Sequence, residues 1–158
     1  MQGPISKCLR TTFLVHMIVA ALLGIALWLV PGRTLALLGW VPEWVPISNI
    51  PEIAKLPAAK RSIPGQTFVD PVLTRIIGAA LLALAFSSYR GWRSASKDEV
   101  SVLVQMEAVF CVLGVIAFLY GAWAMSQAVE PRAMPPIGWA LAVVLAGFAV
   151  SWAIALRR

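Results

Sequence analysis

Long apolar runs separated by polar, proline-rich stretches set the pattern of this chain. Four runs stand out, Phe13 to Val30, Val72 to Tyr89, Ser101 to Met125 and Ile137 to Leu156, each close to the roughly 20 residues that cross a ~30 Å hydrocarbon core. They are apolar on all faces, whereas the strands of a membrane barrel alternate in polarity over about 10 residues. Backbone amides in lipid need partners within their own segment, so the runs are predicted to be helices. The expected fold is all-α and polytopic, a four-transmembrane-helix bundle with spans at about 12–30, 72–89, 101–125 and 137–156 within a single membrane domain, 1–158. A long outer loop joins helices one and two. All eleven prolines fall outside the four runs. Pro71 and the Pro135-Pro136 pair stand where helices two and four begin, positions at which a missing amide hydrogen costs little.

Composition agrees with this pattern. Of the 158 residues 60% are apolar and 13% charged, against about 45–50% and about 25% in an average soluble domain. A basic n-region, Lys7 and Arg10, precedes the first run as in a secretory signal, but its 18 residues exceed the usual h-region and no convincing A-x-A cleavage site follows Val30. The first run therefore reads as a retained anchor helix. Cys8 precedes that run and Cys111 lies within helix three, so the two are not expected to form a disulfide.

Basic residues set the orientation. With the N-terminus inside, the inner segments carry Lys7, Arg10, Arg90, Arg93, Lys97, Arg157 and Arg158, and the outer ones Arg33, Lys55, Lys60, Arg61 and Arg132. The inner group is packed into about 25 residues and the outer one is spread over about 50, which favours cytoplasmic termini in a bacterial cytoplasmic membrane. The net charge of +6 is thus a topology signal, and its division between two faces disfavours nucleic acid as a partner. Trp28, Trp123 and Trp139 fall near outer helix ends, and Trp92 and Trp152 near inner ones, as in an aromatic belt. Trp40 and Trp44 belong to the outer segment Pro31 to Pro71, which holds seven prolines and cannot span. These tryptophans are expected to lie in the interface or to cover the outer mouth of the bundle.

Helices in lipid associate through small residues. Ala142, Ala146, Ala149 and Ala153 form a stripe on helix four that serves either packing within the bundle or, together with Trp40 and Trp44, docking on another integral membrane subunit or a second copy of the chain. Three ionisable residues lie within spans, His16, Arg75 and Glu107, where charge is expensive and a functional role is the default hypothesis. At 1.5 Å per residue, Arg75 lies ~6 Å below the outer start of helix two and Glu107 ~9 Å above the inner start of helix three, which separates them by ~15 Å in a ~30 Å core. Arg75 is instead expected to reach outer phosphates or to pair with Asp70. His16 matches Glu107 in depth within ~5 Å, and Ser87, Gln105 and Ser151 stand at similar heights, so the predicted inner polar cluster is His16, Ser87, Gln105, Glu107 and Ser151. It suits a proton, a quinone head group, a polar lipid head or a structural hydrogen-bond knot.

Motifs for metal, nucleophile or nucleotide sites, such as C-x-x-C, H-E-x-x-H, G-x-S-x-G and G-x-x-x-x-G-K-[ST], are lacking. No cofactor or metal is expected, with contact to lipid, quinone or a pigment bound through His16 left open, and an enzyme is disfavoured. The stretch DPVLTRIIGAALLALAFSSY, with Arg75 and Gly78 as R-x-x-G, resembles a helix of DoxX-like and related small membrane proteins, and LVPGR before it and LVQMEAVF after it fit the same layout. The resemblance implies a four-helix bundle. The motif helix comes first in that family and second here, so the family's quinone-coupled sulfur oxidation does not carry over. Two functions follow from the sequence: a non-catalytic subunit or scaffold of a larger electron-transfer or photosynthetic membrane complex, favoured on small size and small-residue faces, or an independent bundle that binds or transports a quinone, lipid or proton.

Overall fold

The computed structural model describes residues 4–42, 44–46, 55, 62–127 and 133–157. Five α-helices carry the fold: α1 (Lys7–Leu29), α2 (Pro31–Leu37), α3 (Pro71–Arg93), α4 (Lys97–Ser126) and α5 (Pro136–Arg157). Helices α1, α3, α4 and α5 are each long and apolar enough to cross a membrane. Their ends lie beyond the apolar runs on the polar side. Helix α1 starts at Lys7, where Ser6 Oγ accepts from Leu9 N, and α3 runs to Arg93 with Arg90 and Arg93 beside its negative C-terminal end. Helix α4 gains a first turn containing Asp98 and Glu99, favourable beside the N-terminal dipole.

The segment between α1 and α3 holds more structure than a loop. It contains the short helix α2, the strands β1 (Trp44–Pro46) and β2 (Ser62–Pro64), and a 3₁₀ turn over Gly65–Phe68. The strands pair antiparallel in the register Trp44 with Pro64, Val45 with Ile63 and Pro46 with Ser62. The purely helical expectation thus misses a small ribbon, which rests on pairing between segments distant in sequence. Thr34 Oγ1 fixes the corner between α1 and α2 by donating to Ala26 O and Val30 O.

The bundle consists of two helix pairs, α1 with α3 and α4 with α5, which meet each other over a smaller area. Helices α1 and α3 touch backbone to backbone at two glycines. A Cβ at Gly78 would stand 2.9 Å from Gly24 O and 2.9 Å from Trp28 N, the close approach that small residues permit in lipid. The two pairs join at one end around Ile5, Leu9, Phe13, Val100, Val104, Cys111, Phe148 and Trp152. At the same end Ile5 N donates to Ala95 O, and Arg10 Nη2 donates to Ser94 O. The N-terminal segment therefore lies against the α3–α4 turn.

Candidate functional site

Each spanning helix packs through a stripe of residues three or four apart, and two of these stripes carry an ionisable side chain. On α1 the buried series is Leu9, Phe13, His16, Ala20, Gly24 and Leu27, and on α4 it is Val100, Val104, Glu107 and Cys111. This spacing keeps each series on one helix face. His16 and Glu107 consequently point into the bundle, where they are 4% and 0% exposed.

Ser88 of α3 joins them. Its hydroxyl donates to Glu107 Oε1 at 2.9 Å, and His16 Nδ1 lies 2.8 Å from Ser88 Oγ. His16 Nδ1 is also 3.0 Å from Glu107 Oε2. That is an ion-pair distance, yet Oε2 has no hydrogen bond, so the directed connection runs from His16 through Ser88 to Oε1. Phe148 and Trp152 of α5 complete the enclosure, meeting the imidazole edge-on at centroid distances of 4.7 and 5.9 Å. Three buried polar atoms around this knot make no hydrogen bond among the described residues: Ser87 Oγ, Glu107 Oε2 and Trp152 Nε1.

The structure brings His16 and Glu107 together, keeps Ser87 beside them and places Gln105 and Ser151 elsewhere. Gln105 is exposed. Ser151 Oγ donates to Gly147 O of its own helix, because Ser151 shares the depth of the cluster but faces another direction. Ser87 is half-buried with its Oγ sealed beside Glu107, and its neighbour Ser88 takes the central role. Ser88 was legible in principle, since it continues the buried series Thr74, Gly78, Ala85, Ser88 and Gly91 of α3.

Arg75 and Asp70 do not pair. Asp70 Oδ1 caps α3 by accepting from Val72 N and Leu73 N, and Arg75 Nε donates to Trp28 O near the end of α1. Arg75 and Gly78 thus hold the same turn of α1, one through its carbonyl and the other by letting it approach. On α5, Ala142 is buried and Ala149 packs against the core, Ala146 is half-buried, and only Ala153 is exposed. Much of the alanine stripe accordingly faces into the bundle. The Trp44 side chain lies outside the described residues.

Where the two helix pairs separate, an apolar cavity of about 620 Å³ opens between them, within the ~300–1,000 Å³ range of small-molecule sites. His16 forms its deep end with Phe148, and Ala20, Leu23 and Leu27 carry the wall along α1. From residue 16 to residue 27 that wall rises about 16 Å. Phe110, Gly114, Ala117 and Phe118 of α4 face it. Trp40 lines the opposite end and packs on Phe118 at 5.3 Å. Its position follows from the turn before it. Gly39 at φ +74° donates to Ala36 O and Trp40 N donates to Leu35 O, the paired bonds of a Schellman ending that turns the chain back over the bundle. His16 is the one ionisable residue in the lining among the described residues. Its Nε2 has no hydrogen-bond partner there, and it is not among the sealed polar atoms either. No family model, curated protein or solved structure matches the chain.

Proposed function

We propose that the protein is a multi-pass bundle that binds a lipophilic molecule in its intramembrane cavity, with the polar head of the ligand at His16 and its apolar body lying toward Trp40. The observation that carries this reading is the shape of the site: about 620 Å³ of apolar space ending on one imidazole that is tied from behind to Ser88 and Glu107. Pockets of this kind use apolar walls for affinity and a few placed polar groups for orientation. The subunit role favoured by the sequence comes second, because Ala142 and Ala149 of its docking stripe face inward. The distribution of basic residues supports cytoplasmic termini, with the His16 end of the cavity toward the cytoplasm and Trp40 toward the outside.

Ala117→Phe tests the ligand reading. It fills the cavity from α4, keeps the span apolar and leaves His16, Ser88 and Glu107 untouched. Wild-type protein released from native membrane into mass spectrometry should carry a lipophile that the variant lacks. Identical small-molecule content in both, with no saturable binding of decylubiquinone or methyl oleate to the wild type, rejects the reading and restores the subunit role.

A further inference from the structure

We infer that His16 presents an Nε2–H hydrogen-bond donor to the cavity and that the ligand answers it with a carbonyl oxygen. The inference rests on the cavity reading and names the chemistry of its head group. It follows from counting protons on three positions, His16 Nδ1, His16 Nε2 and the Glu107 carboxyl. A buried site with a net charge is costly in a span, and neutrality requires two protons on those three positions.

Two neutral arrangements fit the hydrogen bonds. In the first, the imidazolium donates from Nδ1 to Ser88 Oγ, which donates to the Glu107 carboxylate. In the second, the protonated carboxyl donates to Ser88 Oγ, which donates to Nδ1. The Ser88 hydroxyl, 2.8 Å from Nδ1 and 2.9 Å from Oε1, serves both by reversing direction. Each leaves the second proton on Nε2. The third arrangement, protons on Nδ1 and on the carboxyl with a bare Nε2, puts one hydrogen where nothing accepts it. With the carboxyl proton on Oε1, that proton and the Nδ1 proton take the two lone pairs of Ser88 Oγ, and the Ser88 hydrogen is left without an acceptor among the described residues; on Oε2 the proton would sit on an atom that makes no hydrogen bond among them.

Wherever the shared proton rests, then, Nε2 is a donor. The imidazole is 4% exposed and lines the cavity, and Nε2–H has no acceptor among the described residues. Leaving such a donor unpaired is costly, and a ligand acceptor recovers that cost. A carbonyl on an apolar body fits the remaining walls, and two sources supply it, a quinone ring or the ester of an acyl lipid.

His16 is the single histidine of the chain, so protein labelled with ¹⁵N-histidine and purified without a polyhistidine tag reports this ring alone. In dodecyl maltoside, which has no carbonyl, Nε2 should appear as a protonated nitrogen with a directly bonded hydrogen. Its resonance should move saturably with decylubiquinone, with methyl oleate or with both, which separates the two sources, and should stay fixed with pentadecane. Carbonyl probes should bind about tenfold more tightly than pentadecane, as one net hydrogen bond gives, and Ala117→Phe should abolish the response. A bare Nε2, or a protonated Nε2 that ignores carbonyl probes whose saturable binding Ala117→Phe still removes, overturns the inference while leaving the cavity reading in place. Loss of the Nε2 hydrogen on adding haem, with a new axial-ligand absorption band, overturns it in favour of a metal-bound imidazole. No saturable binding of any probe overturns both.

Discussion

Gly78→Ala should weaken the bundle much more than Gly147→Ala, because a methyl at Gly78 meets the main chain of α1 and one at Gly147 meets nothing. The added methyl carbon would stand 2.9 Å from Gly24 O, 2.9 Å from Trp28 N and 3.2 Å from Trp28 Cα. All three are backbone atoms, so no side-chain rotation relieves the clash and the helices must separate. Overpacking of this kind costs about 1–3 kcal/mol. The gain in helix propensity, up to about 1 kcal/mol for glycine to alanine, opposes it and must be removed by comparison. Gly147→Ala supplies that comparison, since a Cβ there meets nothing within 4 Å and receives the same gain. The difference between the two variants is therefore the cost of the crossing, about 5- to 150-fold in the folding equilibrium. Dodecyl sulfate titration in mixed micelles, followed by circular dichroism, measures it. Adding Gly24→Ala to Gly78→Ala should cost less than the sum of the two, because the first methyl already opens the gap that the second needs. Equal stability of Gly78→Ala and Gly147→Ala would refute the backbone crossing.

The polar knot gives a graded series in the same titration: Glu107→Gln keeps an acceptor for Ser88 and should be milder than Glu107→Leu by about 1–3 kcal/mol. The combined change His16→Leu, Ser88→Ala and Glu107→Leu should leave stability within about 1 kcal/mol of wild type, as apolar replacement of buried polar groups often does, while removing the preference for carbonyl probes over pentadecane. Gly39→Ala should cost about 1–2 kcal/mol for a left-handed residue, press its methyl on the Pro135 ring, and weaken decylubiquinone binding through Trp40. Reporter fusions at Ser96 and Lys60 should show the α3–α4 turn in the cytoplasm and the segment after α2 outside; a cytoplasm-only reporter active at Lys60 reverses the orientation.

The spans were legible because lipid imposes one rule along their whole length, and the helix ends were not because Lys7 or Asp98 continues a helix after hydropathy has fallen. Depth was legible too, from residue counting, and it placed His16 level with Glu107 and kept Arg75 away from both. Depth gives height along a helix and leaves direction around it open. That is why Ser151, at the right height, bonds to Gly147 of its own helix, and why Ser87 stood in for Ser88, one residue and about 100° away. Of the two partners expected for Arg75, outer phosphate or Asp70, the carboxylate is already committed to the amides that open α3. The cavity had no local signature at all. It arises from contact that α1 and α3 do not make with α4 and α5, and an absence between distant segments leaves no period in the sequence.

A structural knot and a binding site place different demands on the same three side chains. A knot that only fixes helix register is best when every polar atom in it is satisfied, since a half-satisfied buried network is inferior to apolar packing. Here Ser88 closes the path between His16 and Glu107, yet among the described residues Ser87 Oγ, Glu107 Oε2, Trp152 Nε1 and His16 Nε2 make no hydrogen bond. The aromatic rings of Phe148 and Trp152 hold the imidazole edge-on and keep it from turning toward another acceptor. Ser88 and Glu107 hold it from behind. A ring fixed on one side that lines 620 Å³ of apolar space, with no hydrogen bond at its remaining nitrogen among the described residues, carries a cost that register alone does not require, and an acceptor arriving with a ligand removes it.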